Sequence, residues 1–285
     1  MMKFLAKFGK LDRRIVFGLL LATILIPLLF SVKSRFYVDS ATQKVFDYVD
    51  KIEPNGRPLM ISFDYDPQVA AELDPMARAV LRHCFARNVR VVGLSLAPQG
   101  DAIGEGIMTQ VAREFNKKHG VDYCYFGYRP GGTIIMLQMG VNVSKALPLD
   151  YYQGPYASLP MMRNIHNYDD IAVILSLAGS TYPVSWMIFA GTKFKVKIAA
   201  GQTAVMAPDN YPFLQTGQFI GQLGGMKGGA EYEQLIVDAG YYGKPDVASK
   251  AMNAIAYSHL LIILLIVLGN VGYFISRKLE KSKQS

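Results

Sequence analysis

Two long apolar runs, residues 15–32 and 255–275, stand apart from the chain between them, where apolar positions come in short bursts. Each run has about the length needed to cross a hydrocarbon core roughly 30 Å thick, so each predicts a transmembrane helix. Pro27 predicts a kink in the first. Between them, short apolar stretches at 59–63, 91–96, 122–126, 171–177 and 196–199 alternate with segments of helical spacing. Buried strands separated by helices predict βαβ units and a parallel sheet, because parallel neighbours need a long crossover.

The helical segments are read from their apolar faces. Ser40 caps a predicted helix carrying Val45, Phe46 and Val49, and Asp74-Pro75 starts another with Ala77, Val80, Leu81, Cys84 and Phe85 inward. Arg78, Arg82, His83 and Arg87 fall off that stripe, which predicts a solvated His83. Further helices are predicted at 107–115, 184–190 and 231–239. Residues 141–169, rich in Pro, Tyr, Asn and Met, predict an irregular connection with short helical pieces.

Charge orients this arrangement. The net charge is +8; Lys3, Lys7, Lys10, Arg13 and Arg14 against Asp12 supply +4, and Arg277, Lys278, Lys281 and Lys283 against Glu280 supply +3. The basic residues therefore flank the apolar runs and leave the middle of the chain nearly neutral. That distribution marks the cytoplasmic side of a membrane and argues against a nucleic-acid partner. The expected organisation is a basic amphipathic cytoplasmic tail (1–14), a first span (15–32), an extracytoplasmic domain (33–254), a second span (255–275) and a basic cytoplasmic tail (276–285). The expected setting is the cell (inner) membrane of a prokaryote, with membrane lipids as partners.

Candidate chemistry clusters at the strand ends. The first strand runs out into Asp64-Tyr-Asp66-Pro, and parallel sheets bind ligands at the carboxyl ends of their strands. Asp64 and Asp66, with Gln99, Asp101 and Ser180 at neighbouring strand ends, form the candidate ligand site. Asp64-x-Asp66 after an apolar strand resembles the nucleophile pair of haloacid-dehalogenase-like phosphatases, which implies metal-assisted phosphoryl chemistry. The later acidic pair of such sites is missing, since Asp169-Asp170 precedes its strand. No Gly-x-Ser-x-Gly elbow is present, and Cys124 lies within Tyr-Cys-Tyr without the glycines of a nucleophile turn. His83, His119, His166 and His259 supply no catalytic triad, no metal-ligand spacing involves Cys84 or Cys124, and no cofactor is implied.

A second cluster is glycine. Gly217, Gly221, Gly224, Gly225 and Gly228 recur at helical steps, predicting a groove for close backbone approach and self-association. In the second apolar run, Asn270 between Gly269 and Gly272 predicts an interhelical membrane contact.

The order of elements resembles the Rossmann-like or glutamine-amidotransferase-like α/β domains of some prokaryotic membrane proteins, over about 140 residues, without their cysteine elbow or dinucleotide fingerprint. The fold class expected is therefore α/β: a Rossmann-like three-layer domain, its mostly parallel sheet of about five strands, flanked by two transmembrane helices. The leading functional expectation is a non-enzymatic two-span protein whose domain self-associates into a homo-oligomeric scaffold or recruits other subunits of a membrane complex. Ligand sensing at the strand-end pocket stands second, and a metal-dependent hydrolase third.

Overall fold

A computed structural model describes residues 12–30, 35 and 37–284, with side chains as far as residue 277. Residues 1–11, which carry most of the expected amphipathic tail, and residues 31–34 lie outside that description. The chain divides into two compact units, residues 35–249 and residues 1–34 with 250–285.

Six strands, all parallel, form the sheet of the larger unit: β1 (Leu59–Phe63), β2 (Val91–Ser95), β3 (Tyr123–Tyr128), β4 (Val173–Ala178), β5 (Ile198–Gln202) and β6 (Gln222–Gly224). Their spatial order is β3-β2-β1-β4-β5-β6, the doubly wound order whose direction reverses between β1 and β4. β1 is buried along its whole length, as expected of a strand covered on both faces. Leu59, Ile61 and Phe63 point into one core with Val173, Leu175 and Leu177, and Met60 points into the other with Ile174, Val92 and Leu94.

The helices, numbered in chain order, are α1 (Arg13–Leu29), α2 (Ser40–Asp50), α3 (Ala70–Ala86), α4 (Gly100–Glu114), α5 (Thr133–Val141), α6 (Val143–Ala146), α7 (Tyr182–Trp186), α8 (Tyr211–Gln215), α9 (Gly225–Asp238) and α10 (Val247–Gln284). Side chains of α2, α3, α4 and α9 share the first core, and those of α5, α6 and α7 the second. A π-helical turn, Met187–Thr192, continues α7. The irregular connection holds α6 and three single 3₁₀ turns, as its composition predicts.

Both margins of the sheet are occupied by the chain itself. At β3, Tyr151 N–H donates to Tyr125 O (2.8 Å) and Gly120 N–H to Tyr123 O (2.7 Å). At β6, α2 lies so close that a Cβ on Gly221 would sit 2.4 Å from Ala41 O.

Several expectations change. Helix α3 begins at Ala70, four positions before Asp74, and Pro75 is inside it. The Asp74 carboxylate accepts from Tyr65 Oη (2.8 Å) and is not a cap. His83 is fully buried, between Tyr232 Oη (2.9 Å) and Asp50 (3.2 Å), and stacked on Phe46 and Tyr241. Its ring finds polar partners inside the core, which is why a position off the apolar stripe is not solvated. Arg82 is buried too, held by Glu114 (2.7 Å) and Asp246 (2.6 Å) above the Tyr242 ring. The sheet gains a sixth strand, β6, from within the glycine-rich stretch.

Helix α10 runs unbroken for 38 residues. Its start is capped by the buried Glu233, which accepts from the N–H groups of Asp246, Ala248 and Ser249 and from Ser249 Oγ (2.7 Å). A carboxylate is stabilised at that end by the helix dipole. Among the described residues, one helical stretch is long and apolar enough to cross a membrane, Val247–Arg277. Two were expected. The described part of α1 stops after 17 residues, where Phe30 is extended; at 1.5 Å per residue it reaches roughly 25 Å.

Within the smaller unit, the Thr23 hydroxyl of α1 and the Ser258 hydroxyl of α10 lie 3.4 Å apart. The Asn270 amide donates to Ile266 O of its own helix (2.9 Å), and Gly269 faces open space, while Gly272 is buried.

Candidate functional site

The switch point between β1 and β4 is the place to look for a ligand in a doubly wound sheet. Here the protein fills it. Asp64, at the end of β1, is 2% exposed, and its carboxylate accepts from Leu96 N–H (2.7 Å), Ser62 Oγ (2.7 Å) and Trp186 Nε1 (3.1 Å). Its own N–H donates to Leu177 O (2.8 Å). Through its carboxylate and its own N–H, Asp64 thus ties together the ends of β1, β2 and β4 and helix α7. Burial pushes its carboxyl up to about 6, against the pull of the three donors. Beside this knot, Val69 packs where a Cβ on Gly179 would lie, 3.1 Å away, closing the gap between the loops after β1 and β4.

The other four predicted residues do not converge on Asp64. Asp66 accepts from Gln68 N–H (2.8 Å) in a local turn, and Asp101 accepts from Tyr128 N–H (2.6 Å), joining α4 to the end of β3. Gln99 is exposed on the turn before α4, and Ser180 is exposed with its carbonyl accepting from Gln202 Nε2 (2.8 Å). Among the described residues no group of three or more His, Cys, Asp or Glu is placed to hold a metal ion. Cys84 and Cys124 are free and buried, and burial raises both thiols, so neither is thiolate at neutral pH.

A cavity of about 510 Å³ opens farther along the same carboxyl edge, around β6, and none of the five predicted residues lines it. Its walls come from the first turn of α2, the loop after β5, helix α8, the end of β6 and the first turns of α9. Glu231 is 1% exposed; its carboxylate accepts from Thr42 Oγ1 (2.7 Å) and pairs with Lys227 one turn earlier. Gln222 is 4% exposed; its Nε2 donates to Ala207 O (2.9 Å) and its Oε1 has no partner. The start of α9 has no side-chain cap, so its first amides are donors without intrahelical acceptors. Ala204, Leu214, Ile220 and Tyr211 supply apolar wall.

Of the five glycines expected to mediate self-association, Gly224 and Gly228 line this cavity. They do not share one helix: Gly217 is in a turn with φ +72°, Gly224 ends β6, and Gly225 opens α9 with φ +59°. Gly221 admits α2 against the strand, and a Cβ on Gly228 would meet Leu223 C at 2.8 Å. The close backbone approach predicted from their spacing is therefore made within the chain, because strand and turn geometry replaces the expected helix. Thr42, Gln222 and Glu231 were missed; the one available signal was Lys227-x-x-x-Glu231, an i, i+4 ion pair on an otherwise small-residue segment.

Fold and site together define a doubly wound α/β domain with an open cavity at its carboxyl edge. Comparison with family models, characterised proteins and solved structures finds no match.

Proposed function

We propose that this chain is a two-span membrane protein whose Rossmann-like domain binds a small polar ligand outside the cytoplasm. The observation that carries the reading is the cavity. At about 510 Å³ it has the size of a small-molecule site, it combines apolar walls with a few convergent polar groups, and it lies on the sheet edge used for ligands in this architecture. This moves the expected ligand site from Asp64, Asp66, Gln99, Asp101 and Ser180 to Thr42, Gln222, Lys227 and Glu231.

The test is a ligand screen by thermal shift on the full chain in lipid nanodiscs. Ser40 is exposed at the cavity mouth, so Ser40→Trp should occlude the site without disturbing the core. Compounds that raise the wild-type melting temperature should lose their effect in this variant. Undiminished shifts in Ser40→Trp would place binding elsewhere.

Exposed apolar side chains on α1, among them Phe17 and Leu29, support a second span, and the basic flanks of both runs support cytoplasmic termini in a cell membrane. Because both native cysteines are buried, a single cysteine at exposed Ser180 gives a clean reporter. A membrane-impermeant maleimide should label Ser180→Cys in intact cells; labelling only after lysis would reverse the topology. Homo-oligomeric assembly or subunit recruitment keeps separate support from the uncharged segments 133–141 and 187–192, which expose Ile134, Val141 and Ile188. A single-copy particle in nanodiscs would count against self-association.

A further inference from the structure

Resting on the self-association reading, we infer that the outer face of α5 and the π-helical turn is an isologous interface, covered by the same face of a second copy of this chain. The two helical layers of the domain differ in charge. Helices α2, α3, α4 and α9, on one side of the sheet, carry three or four charged residues each. On the other side, residues 133–144 and 180–192, which hold α5, α7 and the π-helical turn, carry none. A surface helix ordinarily turns a charged face to water. Here Ile134 and Val141, seven positions apart on one stripe of α5, are 61% and 75% exposed, and Ile188 of the adjoining turn is 46% exposed. Exposed apolar side chains on neighbouring elements, with no charge among them, have the composition of an interface centre.

Two observations choose the occupant. Both connections to the apolar runs leave from the charged layer: Asp39 caps α2, Glu233 of α9 holds the first turn of α10, and Arg82 of α3 holds Asp246 just before it. The sheet stands between these connections and the uncharged face, which disfavours the chain's own bilayer as its cover. The rim then separates a second copy from a partner of opposite charge. A Cβ on Gly140 would lie 2.4 Å from the Phe194 ring, and Tyr168 meets Phe194 edge-on at 5.6 Å, so the segments around 168 and 194 border the far end of α5. They bring Lys193 and Lys195 to the same margin as Asp169 and Asp170, with Lys145 on α6. A two-fold axis sets identical patches against each other, so it suits an uncharged centre with a rim of both signs. A strongly acidic or basic partner would call for a rim of one sign.

The experiment uses the full chain, in membranes and then in nanodiscs. Both native cysteines are buried, so Ile134→Cys, Val141→Cys and Ile188→Cys each offer one reactive thiol. A short bis-maleimide should give covalent dimer from at least one of them in membranes, and none from Val205→Cys, which is 84% exposed but lies after β5. Ile134→Asp places a carboxylate in the first turn of α5, where the helix dipole favours it, so the fold should hold. It should lower the two-copy fraction in nanodiscs at least about tenfold, by burying a charge without a partner. If Ile134→Asp lowers the melting temperature, Ile188→Asp carries the same decision. Two-copy particles that survive both aspartates, with no covalent dimer from the three cysteines, would overturn this interface and leave self-association standing. Single-copy particles of the unaltered chain, with no covalent dimer in membranes, would remove both. Adducts formed only with a different protein would overturn the second copy in favour of a heterologous partner. Quenching of a fluorophore on Ile188→Cys by nitroxide-labelled lipid, in place of dimer, would give the face to the bilayer.

Discussion

Asp64→Ala is expected to destabilise the α/β domain by about 3–5 kcal/mol, since it leaves several buried donors unsatisfied at about 1–3 kcal/mol each. Leu96 N–H, Trp186 Nε1 and the Ser62 hydroxyl all lose their acceptor in the interior. For a domain of this size each kcal/mol shifts the melting temperature by about 2–4 °C. The loss should therefore exceed roughly 6 °C, and a shift of less than about 2 °C would show that the knot contributes little.

A milder change, Asp64→Asn, has a pH signature. The Asp64 carboxyl is raised in the folded protein to about 6, so the folded state holds its proton more tightly than the unfolded chain does. Its contribution is complete below the unfolded value near 4 and is lost as pH rises through 6. His83 runs the other way: burial lowers it to about 4, with Asp50 opposing, so its contribution is present above about 6.5 and is lost as pH falls toward 4. Each corresponds to about 3 kcal/mol at 1.36 kcal/mol per pK unit, so over pH 4–6.5 they offset one another. Wild-type stability should be nearly flat there with respect to these two groups. Asp64→Asn should uncover the histidine and lose about 3 kcal/mol between pH 6.5 and 4. A denaturant series at four pH values reads this out, and parallel wild-type and Asp64→Asn profiles would refute the opposition.

Gly100→Ala is expected to be of comparable severity for a steric reason. A Cβ there would lie 1.8 Å from Phe63 O and 2.6 Å from Ser95 Oγ, the hydroxyl whose one proton lies within reach of both Phe63 O and Ala97 O. The obstruction is backbone at the end of β1, so helix α4 must move off the sheet, at a cost of about 3 kcal/mol or more. Gly106, six positions along the same helix, is exposed and has open space beside it. Gly106→Ala should stabilise by about 0.5–1 kcal/mol through helix propensity alone. Equal effects of the two substitutions would mean that the contact of Gly100 with Phe63 is not rigid.

The two substitutions also mark where the amino-acid sequence was readable. β1, β2 and β4 announce themselves because strands covered on both faces need continuous apolar runs, and the parallel sheet follows from the helices between them. β6 does not: Gln222-Leu-Gly224 has one apolar side chain, Leu223, and becomes a strand through pairing with β5 and packing against α2 and α9. Asp64 reads identically whether it faces a ligand or is buried, because the deciding residue, Trp186, is 122 positions away. His83 was misread for the same reason; its partners Asp50 and Tyr232 lie 33 and 149 positions off. The cavity draws on segments from Asp39 to Glu231, and no local pattern encodes such a convergence.

The occupied sheet margins have a consequence for how copies of this chain can meet. A parallel sheet with a bare edge is a template for another strand. Here Tyr151, in the connection after α6, takes up one carbonyl of β3 and Gly120, in the loop before β3, another, and α2 is pressed close to β6 at Gly221. A strand added at β3 would have to displace the Tyr151 N–H from Tyr125 O, and one added at β6 would have to lift α2 off Gly221. Gly221, expected as a place where a second copy would dock, is also where this chain packs its own α2 against β6.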